Sequence, residues 1–299
     1  MNKIVLAHAA AAAAALSAGA AVVATRFVIA ETDPISLVFY RYLISVVCFV
    51  PLLPAIWPLA RLAASEYAKI ALFGILFFVL FPWAFNAALQ YNPAARGAVG
   101  LATVPIQTLL VAVAFGKERL TATKISGVAL AFSGITVAFG AAAFRRDNSS
   151  ALLGDGLMLV GVLCAAVYSV FSRATLMRHG PLFVTALAMA FAVAALLPIV
   201  AFRQPAIALP AFSPQGWMAL LFLGTIAGTV QFSLFMWALR WLSPTTTVLY
   251  LTLNPVTAML LGTALLGEKL TTELVAGMTL VLAGILIGNG LYSIPRRAT

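Results

Sequence analysis

Polar side chains recur at helical spacing inside long apolar stretches of this 299-residue chain. Thr103 and Gln107 share one helical face, and Tyr250 and Asn254 share another. Hydroxyl, amide and phenol groups can hydrogen-bond a small neutral or zwitterionic solute, and polar groups at membrane depth usually face a cavity or a partner helix. Nucleophilic catalysis would also require a base near a Ser or Thr, and the apolar stretches offer none. The pattern therefore predicts solute binding, or helix-packing hydrogen bonds, rather than an enzyme.

Further candidates lie in phase within other apolar stretches. They are Trp83, Asn86 and Gln90 in the third stretch, Tyr168 and Ser172 in the sixth, and Gln231 in the eighth. Tyr168 lies at mid-stretch, so its hydroxyl either lines a cavity or makes a structural hydrogen bond. Trp near a helix end is typical of the membrane interface, whereas Trp83 is deeper. We predict that all six belong to the lining of a solute site.

Arg41 is the one basic residue placed clearly inside an apolar stretch. It follows the start of that stretch by six residues, about 9 Å along a helix. A long arginine at this depth can snorkel to the interface. It can also pair with Glu31 or Asp33 in the preceding loop, or with a carboxylate of the solute. All three readings stay open from the sequence.

The acidic residues, histidines and cysteines predict no metal, cofactor or disulfide. All eight Asp and Glu residues fall in loops or in the first turn of an apolar stretch. Cys48 and Cys164 lie within apolar stretches and outside any metal-ligand spacing. A zinc-hydrolase HExxH motif and a glycine-rich phosphate loop are both missing from the sequence.

The composition predicts an all-α membrane protein that positions these residues on spanning helices. The chain is 63% hydrophobic and 9% charged, with a mean hydropathy of +1.07, and its apolar runs of about 20 residues suit transmembrane helices. Ten spans are predicted, at 8–29, 35–57, 68–90, 94–115, 122–143, 152–174, 181–201, 214–238, 243–266 and 272–292. The surrounding lipid bilayer is the predicted partner.

The net charge of +10 has a topological explanation that does not require a nucleic-acid partner. If the N-terminus is cytoplasmic, eleven Lys and Arg residues fall on the inner side and five on the outer side. This bias predicts that both termini are cytoplasmic, in a bacterial inner membrane. Arg145 and Arg146, in the central loop, run against the trend.

An internal repeat divides the chain. Pro105 and Pro255 lie 150 residues apart, as do Gly127 and Gly277, and Gly134 and Gly284. Residues 1–147 and 148–299 would each hold five spans, an odd number, so the two units would face opposite ways. Inverted repeats around a midplane site, with helices interrupted near Pro105 and Pro255, are the architecture of secondary transporters.

The repeated segments resemble a known family. Gly-Lys-Glu-Arg-Leu-Thr at 116–121 and Gly-Glu-Lys-Leu-Thr at 267–271 are similar to the end of an EamA domain. Phe39-Tyr40-Arg41-Tyr42-Leu43 fits the beginning of the first unit. The chain thus resembles the ten-helix, two-EamA-domain form of the drug/metabolite transporter superfamily, and within it the YddG-type exporters of aromatic amino acids. The resemblance implies a carrier for small organic solutes.

We therefore predict export of aromatic or other neutral amino acids by alternating access, as a uniporter. Proton-coupled efflux, exchange of sugar phosphates or nucleotide sugars, and a passive channel are the alternatives. A monomer or weak homodimer is predicted, since Gly284-xxx-Gly288 could form a dimer face or pack within the chain.

Overall fold

The computed structural model describes residues 3–28, 31–57, 62–91, 94–143, 151–203, 212–266 and 271–289. Within these ranges the regular secondary structure is helical and contains no strand, which confirms the predicted all-α class. Six stretches are long and apolar enough to cross a membrane: Lys3–Thr25, Pro34–Ile56, Ala64–Ala88, Leu152–His179, Pro181–Phe202 and Pro214–Trp241. Val99–Ala114, Ala122–Ala138 and Val275–Gly288 are shorter apolar helices.

The described part of the first half contains eight α-helices. They are α1 (Lys3–Val28), α2 (Pro34–Phe49), α3 (Leu53–Ile56), α4 (Ala64–Gly74), α5 (Phe81–Tyr91), α6 (Ala94–Leu101), α7 (Val104–Ala114) and α8 (Ala122–Ala143). A 3₁₀ turn, Val50–Leu52, joins α2 to α3, and a π-helix, Ile75–Leu80, joins α4 to α5. Asp33 caps α2 by accepting hydrogen bonds from the Ile35 and Ser36 amides.

Among the described residues of the second half there are seven α-helices. They are α9 (Ala151–His179), α10 (Pro181–Arg203), α11 (Pro214–Gly224), α12 (Gln231–Trp241), α13 (Pro244–Leu249), α14 (Leu253–Leu266) and α15 (Thr272–Gly288). A π-helix, Thr225–Val230, joins α11 to α12, and a 3₁₀ turn, Tyr250–Thr252, joins α13 to α14. Ser213 and Ser243 cap α11 and α13, each before a proline at the first helical position.

The element boundaries repeat along the chain. The run α4, π-helix, α5 has the same three lengths as the run α11, π-helix, α12, displaced by 150 residues. In both runs, the amide that follows the π-helix donates a hydrogen bond to the carbonyl five residues earlier: Phe81 to Leu76, and Gln231 to Ile226. The duplication therefore extends to an irregular backbone feature.

The predicted fourth and ninth spans are interrupted helices, as the prolines indicated. The fourth is divided at Ala102 and Thr103, and Pro105 then occupies the first turn of α7. The ninth is divided by the 3₁₀ turn, and Pro255 occupies the first turn of α14. A proline is tolerated in a first turn because its missing N–H would have no intrahelical partner there.

Two ends of the molecule can be defined by contacts. Lys3 lies over the Trp241 ring at 4.9 Å, and Glu118 accepts a hydrogen bond from the Thr245 amide at 2.9 Å, so these residues share one end, called the Lys3 end below. Glu31, beyond the far end of α1, accepts a hydrogen bond from the Ser213 amide at 2.8 Å. This opposite side is called the Glu31 end.

Glycines bring α8 and α15 into close contact within the chain. A Cβ atom added at Gly284 would lie 2.7 Å from the Gly127 carbonyl oxygen, and one added at Gly134 would lie 2.6 Å from that of Gly277. The sequence left open whether the Gly284-xxx-Gly288 face forms a dimer or packs within the chain. In the structure this face packs against α8 of the same chain. Elsewhere large apolar side chains such as Leu152, Phe202 and Met218 are exposed, which suits a lipid-facing surface.

Candidate functional site

The two π-helices lie beside the largest buried cluster of the described chain. Phe77 and Phe78 come from the first π-helix, and Gln231 directly follows the second. A π-helix widens the turn and shifts the register of backbone hydrogen bonds, and such segments are frequent at functional sites. The local backbone thus turns these three side chains toward the interior.

Aromatic rings of the first π-helix contact rings of α2, α9 and α12. The Phe77 ring stacks on Tyr168 of α9 with centroids 4.4 Å apart, and is parallel to Phe235 of α12 at 6.3 Å. Phe78 meets the edge of Phe232 at 5.0 Å and of Tyr42 at 5.1 Å. These faces can accept an apolar or aromatic group of a solute.

A small pocket lies at this cluster. It is lined by Ala14, Phe77, Gln231, Phe232, Phe235 and Leu251, which come from α1, the first π-helix, α12 and the 3₁₀ turn of the ninth span. Its volume of about 20 Å³ is the space of roughly one water molecule. Gln231 is 7% exposed, and its Oε1 atom has no hydrogen-bond partner among the described residues. The pocket therefore combines apolar walls with one unsatisfied acceptor.

Arg41 contacts the second π-helix. Its Nη2 atom donates a hydrogen bond to the Ala227 carbonyl at 2.6 Å, and its guanidinium carbon lies 5.8 Å from the centre of the Phe232 ring. The Nε atom is buried and has no hydrogen-bond partner in the part of the chain that the structure describes. Of the three readings that the sequence left open, neither loop acid pairs with Arg41: Asp33 caps α2, and Glu31 bonds Ser213.

Tyr250 and Asn254, predicted for the site, fasten the ninth span to α1. The Tyr250 hydroxyl lies 3.0 Å from His8 Nδ1. With its amide oriented to donate, Asn254 bonds the Ala15 carbonyl at 2.8 Å. Both side chains have helix-packing partners in this conformation, and their neighbour Leu251 lines the pocket.

The remaining predicted residues are distributed around the centre. Tyr168 is fully buried, and its hydroxyl donates to Met236 Sδ at 3.0 Å; Ser172, one turn further on, is buried as well. Thr103 donates to the Gly100 carbonyl at 2.6 Å. Gln107 on α7 and Asn86 on α5 are half-buried.

Trp83 and Gln90 complete the predicted set. Trp83 is 48% exposed, on the face of α5 away from the buried Ala84 and Ala88. The side chain of Gln90 lies outside the described residues. The structure brings Arg41, Tyr168 and Gln231 together at the aromatic cluster, and does not bring Trp83 to it.

The sequence prediction missed the aromatic walls of the pocket and the Ala227 carbonyl that binds Arg41. Phe77, Phe232 and Phe235 line it, yet a search for polar residues passes over them. The available signal was the density of aromatic residues in 73–85, opposite a second group at 232–241. The Ala227 carbonyl carries no signal in the sequence, because the π-helix that presents it has no clear sequence pattern.

The two ends of the molecule are packed differently around this centre. At the Lys3 end, α7 packs against α13, and the buried carboxylate of Glu118 accepts from the Thr245 amide and pairs with Lys124. At the Glu31 end, α6 and α14 make no comparable contact within the described residues. A carboxylate at a helix N-terminus is stabilised by the free amides and the helix dipole.

Comparison with known proteins identifies the family. The model of the EamA-like transporter family matches residues 5–140 and again residues 152–289. The chain is 28% identical to an uncharacterized transporter of Archaeoglobus fulgidus, over 76% of this chain and 79% of that protein. It is 29% identical to the uncharacterized inner membrane transporter YedA of Escherichia coli, over 76% and 72%.

A solved structure supports the same fold. One crystal structure superposes with a TM-score of 0.79 and 19% identity, covering 95% of this chain and 96% of the other. At that identity the likeness bears on the fold alone. With two matching segments, spanning helices and transporters among its relatives, the chain is a multi-pass membrane protein that belongs to the EamA-like transporter family.

Proposed function

We propose that this protein is a secondary carrier that exports small organic metabolites, with aromatic or other neutral amino acids as the first choice. It resembles the YddG-type exporters in this respect. The carrier would work by alternating access and as a uniporter. The observation that carries the proposal is the central pocket, where three phenylalanine rings and the unsatisfied Gln231 acceptor adjoin two matched π-helices.

The arrangement of the matched helices supports two inverted five-helix units, 1–147 and 148–299, with ten spans. Helix α4 begins beside His179, which Glu66 contacts at 3.2 Å, at the Lys3 end. Its counterpart α11 begins at Ser213, which Glu31 contacts at the Glu31 end. Matched helices that run in opposite directions are expected of inverted repeats, whose exchange of conformation supplies two access states.

The unequal packing of the two ends fits one of these states. The α7–α13 contact and the Glu118 carboxylate close the Lys3 end, whereas α6 and α14 are apart within the described residues. In the predicted topology the Lys3 end is cytoplasmic, so this state would be open to the outside. The inner membrane location is consistent with the name of the YedA relative.

Counterflow in proteoliposomes tests the carrier. Vesicles preloaded with unlabelled phenylalanine should take up more labelled phenylalanine than empty vesicles, because the internal unlabelled solute returns the carrier outward and competes with the label for exit. A panel of amino acids added as competitors would then rank the substrates. A passive channel would give equal uptake in loaded and empty vesicles, and that result would refute the carrier.

An imposed pH gradient tests the uniport mechanism. The sequence places the acidic residues near the ends of the predicted spans, and in the structure Asp155 lies in the second turn of α9. We therefore propose that no carboxylate at the membrane midplane carries a proton. Phenylalanine should equilibrate across the vesicle membrane without accumulating when the gradient is applied. Uphill accumulation driven by the gradient would show proton coupling instead.

A further inference from the structure

Arg41 carries a partly buried positive charge for which the described residues supply no opposite charge. Its guanidinium donates to one carbonyl, Ala227, and leaves Nε buried without a partner. Removing a charge from water is expensive unless an ion or a full set of hydrogen bonds compensates it. In the spanning region of a membrane protein, such a group usually marks a ligand or ion path.

The backbone packing of the glycine before each π-helix does not require this arginine, as a comparison of the two repeats shows. Gly224 precedes the second π-helix and packs against the Arg41 carbonyl, while Gly74 precedes the first and packs against the Ala188 carbonyl. Arg41 and Ala188 each lie seven residues after the proline that begins their helix, Pro34 or Pro181. The same backbone contact thus forms with alanine, and the guanidinium needs another explanation.

Two unsatisfied groups of opposite character adjoin the pocket. Gln231, which lines it, offers a bare acceptor oxygen, and Arg41 offers a bare N–H donor with a positive charge. Phe232 is common to both, because it lines the pocket and contacts the guanidinium. Arg41 therefore lies next to the pocket, across the Phe232 ring.

From these contacts we infer that Arg41 binds the carboxylate of the transported solute, while Gln231 accepts a hydrogen bond from its amino group. The apolar side group then lies against Phe77 and Phe235. A charged donor, a neutral acceptor and aromatic walls together select a zwitterionic solute with an apolar side group over a bare amine or an inorganic anion. The inference rests on the proposed carrier function and assigns its solute class and two binding residues.

Competition experiments with the wild-type protein in proteoliposomes test the solute class. Labelled phenylalanine counterflow is challenged with unlabelled phenylalanine, with phenethylamine, which lacks the carboxylate, and with 3-phenylpropionate, which lacks the amine. Each analogue should compete about 10- to 100-fold more weakly than phenylalanine, the range expected for the loss of a charged hydrogen bond. Equal competition by phenethylamine would overturn the role of Arg41 without affecting the carrier function. Absence of counterflow with every amino acid would refute the carrier itself.

Variants separate binding from a structural role. Arg41→Gln should raise the KM for phenylalanine about 10- to 100-fold and leave the weak competition by phenethylamine unchanged; Arg41→Lys should recover part of the affinity. If Arg41 only clamps the π-helix, Arg41→Gln will weaken phenylalanine and phenethylamine alike, which would overturn the inference. Arg178→Gln is the matched control, since the Arg178 side chain is 71% exposed. If Arg41→Gln does not fold, the wild-type competition decides.

Discussion

The two π-helices share a backbone geometry but differ in chemistry. The segment Ile75–Leu80 carries Phe77 and Phe78, which contact other aromatic rings. The segment Thr225–Val230 has no aromatic residue, and it contacts Arg41 of α2 through the Ala227 carbonyl and Ser45 of α2 through the Thr229 hydroxyl. The helices that pack against the two π-helices differ as well: α10 has Ala188 at the position where α2 has Arg41.

This difference shows how a duplicated fold can serve an asymmetric site. The repeated glycines and the repeated register shift preserve the packing around each π-helix, so either half can adopt the same local geometry. The side chains at the matched positions are free to diverge, with rings on one side and donors and acceptors on the other. A solute with an apolar group and a charged group would fit between the two segments in one orientation.

The largest expected effect concerns the aromatic segment. Phe77→Ala removes a ring that is 6% exposed and stacks on Tyr168. A buried Phe→Ala change typically costs about 3–5 kcal/mol, from the lost contacts and the cavity that remains. Thermal unfolding in detergent, followed by size-exclusion chromatography, measures the loss. Phe202→Ala is the control, since Phe202 is 90% exposed and should leave the midpoint unchanged. Equal midpoints for both variants would show that the aromatic cluster does not stabilise the first segment.

The second prediction concerns the glycine before each π-helix. Gly74→Ala should destabilise by about 1–3 kcal/mol, because the added carbon meets the backbone of Ala188 and overpacking cannot relax there. Gly224→Ala should destabilise as well, since the added carbon would lie 2.5 Å from the Cβ atom of Ile44, which is fixed by the backbone. At Gly156 no atom lies within 4 Å, so Gly156→Ala should be neutral or stabilising through helix propensity. The comparison fails if Gly74→Ala is as stable as Gly156→Ala.

The sequence predicted much of this fold because hydropathy and proline positions act locally. Apolar runs of the right length marked the helices, and Pro105 and Pro255 marked the two interruptions. The π-helices were not predicted, since they depend on how Gly74 and Gly224 pack against distant helices. Such tertiary contacts leave no periodic pattern in the chain.

The site was predicted only in part, for a related reason. Arg41, Tyr168 and Gln231 were found because polar groups at membrane depth are rare. The same rule also selected Asn254, which bonds a neighbouring helix here, because helical phase does not distinguish a cavity from a packed interface. The apolar wall was missed, since Phe232 and Phe235 resemble any other buried side chain until their neighbours are known.

A smaller effect concerns the hydroxyl that holds the polar segment. Ser45 donates to the Gly224 carbonyl at 2.7 Å, whereas Ala192, its counterpart by the spacing of Arg41 and Ala188, is buried without a hydroxyl. Ser45→Ala should cost about 0.5–1.5 kcal/mol, the usual net value of one hydrogen bond. Ser133→Ala is a matched control, because Ser133 is exposed and bonds only its own helix. Thermal midpoints that match for the two variants would show that this bond does not hold the second segment.

The smallest expected effect concerns the carboxylate that contacts the start of α11, the second of the two matched helix runs. Hydrogen bonds from the Ser213 hydroxyl and amide lower the pKa of Glu31 below its ordinary value. A carboxyl with a lowered folded pKa contributes stability above its unfolded pKa of about 4.3, and this contribution disappears as the pH falls through the folded pKa. Ser213→Ala removes the larger of these two causes, although it also removes the cap of α11. Ser213→Ala should therefore lower the thermal midpoint more at pH 6 than below about pH 4, where the contribution of Glu31 is lost from the wild type as well. Ser126→Ala breaks hydroxyl bonds to carbonyls only, so its difference should stay constant across that range. A pH-independent effect of Ser213→Ala would mean that it comes from the lost helix cap and not from the lost hydrogen bond to Glu31.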